Sequence, residues 1–494
     1  MSWLEAAFPV RMRRVAVVAP AGALRDVLVR VANLGAVEIG PASGQGETPA
    51  GAGPSGGAPG KFAHSLALAG HPVGDAALSV SEPDLDELER SGRYDLLAGE
   101  AQLESYAAMG VRRSGAAGLA GWVPASRLGA VAAALAEAGG TLVPLPNPPG
   151  SQPPTLVGGP PLRRSLSPLV QTYGTVPYPD IDPVWLAWAS YVLMFGMMFG
   201  DVGEGALLVA AAVALRAGWP RWARRFRQAW PFVGGAGLAA TVFGLLYGDC
   251  FGPNGLVPAL WLDPLDQPDT LLVVAAGVGA VLLAGAYALG TVNRWREGGW
   301  PSMLYAPSGG AGSGLFLGAG VAAAGWYFHT GALLAAGAVV ALAGLGLAAA
   351  GFLAEAGGGA GLLQAVVELF DLVVRLGSNV VSFTRLAAFG LTHAALGLVV
   401  WNGTRALWPH GGLSLAGVAS AAGAVAVFAV GTALTFSLEA LVAGIQALRL
   451  EYYELFSRVF VDQGRPFRPW HVPTAREYAA ASAEKTAAAI KEAV

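Results

Sequence analysis

Charge is what this sequence has least of. Asp, Glu, Lys and Arg make up 13% of its 494 residues, against 54% hydrophobic, whereas a soluble domain carries about 25% charged residues. The deficit is uneven: charges are frequent before about residue 170 and confined to short clusters afterwards. That distribution predicts a soluble front and a membrane-embedded rear. The single cysteine, Cys250, excludes an internal disulfide and any multi-cysteine metal site. A net charge of -3 offers no electrostatic footprint for nucleic acid. The opening stretch "MSWLEAAFPVRMRRVAVVAP" lacks the basic start, apolar core and small-residue cleavage site of a signal peptide, so none is expected. Phosphate loops, nucleotide fingerprints and nucleophile motifs are missing, so no cofactor, catalytic residue or metal ligand is expected.

The front carries two similar patterns. "RRVAVVAPAGALRDVLVRVANLGAVEI" reads as a strand at Val15 to Val18, a helix from Ala21 to Asn33 stopped at Gly35, and a strand at Val37 to Ile39. "AGLAGWVPASRLGAVAAALAEAGGTLVPL" repeats it, with Leu119 to Val123, a helix between Pro124 and Gly139, then Thr141 to Leu145. Two β-α-β lobes are predicted, joined through "GPASGQGETPAGAGPSGGAPG", which is too rich in Gly, Pro and Ser to pack. "EPDLDELERSGRYDLLAGEAQLESY" has helical character weakened by Gly92 and Gly99.

From Val184 onward, apolar runs long enough to cross about 30 Å of hydrocarbon recur. Spans are placed near 184–199, 203–217, 231–250, 270–290, 313–328, 332–352, 366–401 and 415–448, about eight in all. The first two are short, and "GMMFGDVGEG" between them is compatible with a hairpin. Arg216, Arg221, Arg224, Arg225 and Arg227 crowd one short loop, which the positive-inside rule makes cytoplasmic. The loop "DCFGPNGLVPALWLDPLDQPD" has no Lys or Arg and is assigned outside; Arg294 and Arg296 return the chain to the cytoplasm. An even number of spans leaves both termini inside, and Arg458, Arg465 and Arg468 agree, with Arg405 a mild exception. The last two spans exceed a perpendicular crossing and must tilt or project. The expected division is 1–170 as a cytoplasmic α/β domain with a flexible loop at 40–75, 171–455 as the transmembrane domain, and 456–494 as a cytoplasmic tail.

Those two last spans also hold charges. In "SNVVSFTRLAAFGLTH", Ser378, Ser382 and Arg385 fall within roughly 60° of one another around a helix. Thr392 lies near the same line and His393 at its flank. On the last span, Glu439 and Gln446 share a face, with Arg449 a turn beyond. An arginine at the centre of a membrane helix costs about 2.5–3.5 kcal/mol. Two readings stand: Arg385 pairs with Glu439 or snorkels and only holds helices together, or it interrupts a hydrated ion path. In the second, a guanidinium that stays protonated discharges a passing carboxylate without relaying the proton itself. Asp371 and Glu368 suit either an acidic vestibule or a solvated helix start. Asp201 and Glu204 suit either a structural turn or part of the site.

Five segments carry a resemblance: "YGTVPYPDIDP", "FGMMFGDVGEG", "FGLLYGDCFG", "SNVVSFTRLAAFGLTHAAL" and "LEALVAGIQALRLEYYELFSRVFVDQGRPFRP". In this order, across most of 171–470, they resemble subunit I of the A/V-type ATPases, the 116 kDa subunit a family. The front resembles it more weakly, through "LGAVEI", "GWVP" and "PPTLV". The resemblance implies a mainly α membrane protein with two long tilted C-terminal helices, acting as a non-catalytic stator subunit with no ATP site of its own. Its expected partners are a proteolipid ring (subunit c/K), a central-stalk subunit, peripheral-stalk subunits and the lipid bilayer, in a multi-pass cell-membrane setting. Arg385 matches the family's essential arginine and Arg449 its second. Glu439, Gln446 and His393 match polar positions of the half-channels, Asp371 an acidic position near one channel mouth, and Ser382 belongs to the same stripe. Two departures from the family stand out. No heptad run replaces the family's long coiled coil, and Glu204 stands where the family usually has tyrosine. The tail "REYAAASAEKTAAAIKEAV" is expected to form a helix. A secondary transporter and a non-conducting scaffold remain as alternative readings; no internal repeat supports the former.

Overall fold

The computed structural model describes residues 9–40, 61–69, 76–148, 151–156, 158, 161–356, 359–409, 415–460 and 464–474. The linker at 41–60 and the tail helix expected beyond Thr474 lie outside these. The chain forms two compact units, one made of 9–157 with 464–494 and the other dominated by 158–463.

In the first unit, the order is β1 (Met12–Pro20), α1 (Leu24–Leu34), β2 (Glu38–Gly40), α2 (Lys61–Ala69), α3 (Leu85–Ser91), α4 (Tyr94–Ala108), β3 (Val111–Arg113), β4 (Ala116–Pro124), α5 (Leu128–Glu137) and β5 (Thr141–Pro144). The two expected β-α-β patterns do not form separate lobes. They interleave in one antiparallel sheet of order β2-β4-β1-β5, with β3 on β4, the split arrangement in which central strands come from different halves. Val15 pairs with Gly121 and Val17 with Leu119. The reason is burial: Val15, Val17 and Ala19 alternate inward on β1 and need the apolar face of β4 beside them. Within the stretch 40–75 read as loop, 61–69 is helical. Gly92, at φ +64, divides the expected single helix into α3 and α4. Gly99 has a different reason, since a Cβ there would stand 1.9 Å from the Ala77 carbonyl oxygen.

Residues 464–474 complete this unit. Trp470 is buried against Tyr106 at 4.5 Å between ring centroids, and its Nε1 donates to Gln102 at 3.2 Å. Glu38 accepts from Arg465 at 2.8 Å and from the Arg468 backbone N–H at 2.8 Å. Burial pushes the Glu38 carboxyl up despite those partners.

The second unit is helical: α6 (Pro161–Gln171), α7 (Val184–Met198), α8 (Val202–Ala217), α9 (Trp230–Tyr247), α10 (Pro268–Tyr305), α11 (Gly310–Tyr327), α12 (Gly331–Ala356), α13 (Gly359–Ser382), α14 (Thr384–Leu407) and α15 (Leu415–Leu450). A π-helical turn, Glu451–Phe456, follows α15. Each segment expected as a span has a helix near it. Five stretches among the described residues are long and apolar enough to cross a membrane, at 221–247, 268–305, 331–354, 361–407 and 417–459. The helices at 184–198 and 202–217 are too short for that test and the helix at 310–327 is not among the five, so the structure supports five where about eight were expected. The long seventh segment is not one regular helix. Phe383 accepts from the Leu386 N–H and donates to Val380 in i,i+3 bonds, a tight turn between α13 and α14. Phe383 itself is fully buried with Tyr287, Leu386 and Phe456 in the core of this unit.

Small residues set the helix spacing. A Cβ on Gly237 of α9 would stand 2.8 Å from the Val209 nitrogen of α8, so the two backbones approach as only glycine allows. The "YGTVPYPDIDP" segment is also structural. Asp182 pairs with Arg163 in a fully buried ion pair, and its other oxygen accepts the Val184 N–H at the start of α7. Asp180 is fully buried facing the Arg294–Glu297 pair. Burial, then the Glu297 carboxyl, pushes the Asp180 carboxyl up to about 8, against the pull of Arg294 and Arg296.

Candidate functional site

α14, α15 and the π-turn hold most of the polar side chains, and these gather at two levels. At the first, His393 of α14 is hydrogen-bonded through Nδ1 to Glu439 of α15, with side chains only 7% and 10% exposed. Glu204, at the start of α8, joins them. One ligand-type atom from each of the three lies within 4.8 Å of the others. The Phe199 ring, 5.0 Å from the His393 ring and 5.8 Å from Phe436, walls this level.

The two acidic motifs beneath it fold together. Asp201 caps α8 by accepting the Glu204 N–H at 2.9 Å, and its second oxygen accepts the Gly252 N–H at 2.9 Å. The Val202 N–H donates to the Asp249 carbonyl. "FGDVGEG" and "YGDCFG" therefore form one knot, in which Asp201 has a structural task that uses both its oxygens. Glu204 differs: its Oε2 is buried without a hydrogen-bond partner.

The second level lies about 12 Å along α14, eight residues at about 1.5 Å each. Arg385 and Ser382 are half-buried there. Glu454 of the π-turn lies near Ser382 and within the electrostatic reach of both Arg385 and Arg449. Glu451 is fully buried and accepts from Ser190 of α7 at 2.6 Å. Gln446 is half-buried, and Arg449 is exposed.

The structure thus separates residues that the helical wheel put on one stripe. Glu439 bonds to His393, and the carboxylate facing Arg385 is Glu454, which sequence reasoning missed although "LEYYE" shows it one turn beyond Arg449. Thr392 turns outward, its hydroxyl donating to the Ala388 carbonyl. Asp371 stands apart from both levels, half-exposed and paired with Arg375 at 2.6 Å on α13, while Glu368 accepts from Gln364.

Each level has buried polar atoms without partners. They are Glu204 Oε2, Asp249 Oδ2, His393 Nε2 and Glu439 Oε1 at the first, and Arg385 Nη1, Gln446 Oε1, Glu451 Oε1 and Glu454 Oε2 at the second. Such atoms are costly in an apolar interior unless water, an ion or another protein meets them.

Comparison with known proteins gives a consistent result. Residues 109–254 match the V-type ATPase 116 kDa subunit family. The chain is 25% identical over 428 residues to A-type ATP synthase subunit I of Pyrococcus horikoshii, covering 81% of this chain and 62% of that protein. It is 27% identical over 372 residues to the Aeropyrum pernix subunit I, covering 65% and 52%. With the Halobacterium salinarum subunit I the figures are 28% over 392 residues, 64% and 51%. The chain therefore spans between about half and three fifths of the length of these relatives.

Proposed function

We propose that this chain, a member of the V-type ATPase 116 kDa subunit family, is the membrane stator subunit of a rotary A/V-type ATPase. In this role it supplies two half-channels for protons or sodium ions and holds Arg385 against the carboxylates of a proteolipid ring. Coupling to ATP hydrolysis or synthesis then passes through central-stalk and peripheral-stalk partners. The sequence shows no nucleotide motif, and the ATP chemistry belongs to separate nucleotide-binding subunits of the complex.

One observation carries the reading: unpartnered buried polar atoms occur at two levels of one helix pair, with apolar packing at Leu386 and Phe383 beside Arg385. A single continuous pore needs no such separation, and a purely structural ion pair needs no orphaned atoms. The exposed face of α15 supports it too. Leu434, Leu438, Leu441 and Ile445 form an exposed apolar stripe at helical spacing, and Arg449 continues it. This is the face offered to lipid and to the ring.

The mechanism follows from charge and solvation. A ring carboxylate neutralised by an ion from one half-channel can travel through lipid. On meeting Arg385 it is favoured in its ionised form and releases its ion to the other half-channel. Arg385 keeps its own proton throughout and so closes the direct leak between the levels. Glu454, within reach of Arg385, offsets the guanidinium charge while no ring carboxylate faces it. The reading takes the shorter helices at 184–198, 202–217 and 310–327 to cross beside the five long ones, so that with the arginine clusters inside both termini are cytoplasmic and the first level opens outward.

The test is purification of the chain from its native membrane under mild detergent. The proposal expects a proteolipid ring and nucleotide-binding subunits to accompany it. A chain that purifies alone and catalyses ion-coupled transport of a solute would replace this reading with the transporter.

A further inference from the structure

We propose that Glu204, His393 and Glu439 form a binding site for a divalent transition cation of the zinc type. This goes beyond the stator reading and does not depend on it. The three residues come from α8, α14 and α15, so their meeting is a product of the tertiary fold and not a local cluster. Their ligand atoms lie within 4.8 Å of one another. Around one tetrahedral zinc ion, oxygen and nitrogen ligands at about 2.0–2.2 Å from the metal stand roughly 3.3 Å apart. Shifts on the order of 1 Å in side chains with free torsions close that difference.

The second observation is that each of the three side chains, although His393 Nδ1 and one Glu439 oxygen bond to each other, keeps a buried atom without a partner. Glu204 is 3% exposed and His393 6%, and each has a buried atom, Oε2 and Nε2 respectively, without a hydrogen-bond partner. Glu439 Oε1 is a third. Two carboxylates and one imidazole give a doubly negative set when the imidazole is neutral, which a divalent ion neutralises. The imidazole selects the class: zinc-type ions accept nitrogen, whereas calcium and magnesium take oxygen shells. Asp201 supports Glu204 by capping the helix that carries it, leaving the carboxylate of Glu204 itself uncommitted. Three protein ligands leave a fourth position for water or an exchanging ion.

The test uses the full chain purified in detergent. Equilibrium dialysis against Zn²⁺ measures stoichiometry, and Co²⁺ substitution reports the ligand set through its visible absorption. We expect one zinc per chain, lost in His393→Ala and weakened at least about tenfold in Glu204→Gln, the loss that outer-shell partners alone already cause. Glu204→Asp, which keeps the charge, should retain binding with an altered cobalt spectrum, and it decides the matter if Glu204→Gln fails to fold. Absence of saturable binding overturns the proposal. So does binding that is unchanged in His393→Ala and Glu204→Gln, or a cobalt spectrum identical in Glu204→Asp. Since binding is read without ion transport, a chain that binds zinc but joins no ring would sink the stator reading alone.

Discussion

His393 and Glu439, forty-six residues apart in sequence, hold each other across α14 and α15 in a nearly buried hydrogen bond. Removing one partner of such a pair leaves the other buried and uncompensated, which costs about 3–5 kcal/mol. His393→Ala should therefore lower the stability of the detergent-solubilised chain by about that amount. The double variant His393→Ala with Glu439→Gln should lose less, because the orphaned charge is gone. Thermal unfolding of the two variants beside wild type checks this, and equal losses in the single and the double variant would count against the pair.

Asp180 gives a pH signature. Its carboxyl is raised from 3.8 to about 8 in the folded chain, so the folded state holds its proton more tightly than the unfolded. Its contribution to stability is then fully present below about pH 4 and is lost as the pH rises through about 8. Asp180→Asn, which cannot ionise, should flatten that decline. Melting temperatures across the same range, compared between wild type and variant, would show it; a parallel pair of curves would refute it.

Trp470 anchors the returning segment in the sheet unit. Its indole is 5% exposed and packs on Tyr106, so Trp470→Ala should cost about 3–5 kcal/mol. Hydrogen exchange should report faster opening around Val37, just before β2, and in α4, which it touches through Gln102. Unchanged protection there would place the anchor elsewhere.

Gly237→Ala tests the helix contact between α8 and α9. The added methyl would stand 2.7 Å from the Leu208 Cβ and 2.8 Å from backbone, closer than carbon atoms pack, and overpacking of this kind costs about 1–3 kcal/mol. A lowered melting temperature is expected, with ion transport reduced because α8 carries Glu204. A neutral variant would mean the helices part without cost.

Much of this was legible in the sequence, for a physical reason. A charge in an apolar run is expensive, so Arg385, Glu439 and Arg449 mark themselves, and apolar length gives the helix order nearly segment by segment. Three things were not legible. The two β-α-β patterns show strands but not their partners, because pairing is set by burial across more than a hundred residues, as in Val15 with Gly121. Glu204 sits three residues after Asp201 in a turn-like motif and reads as local, while its neighbours His393 and Glu439 arrive from far along the chain. Glu454 lies past the last apolar run, where no helical periodicity marks it; the π-turn, by changing the residue spacing after α15, brings it near Ser382 and Arg385.

The most direct test of the central claim is ATP-driven ion uptake by vesicles containing the assembled complex, with wild-type chain or Arg385→Ala. The account predicts that Arg385→Ala abolishes uptake while the proteolipid ring still co-purifies in normal amount. Undiminished uptake by Arg385→Ala in an intact complex would contradict it, and would leave the arginine as a helix-packing residue.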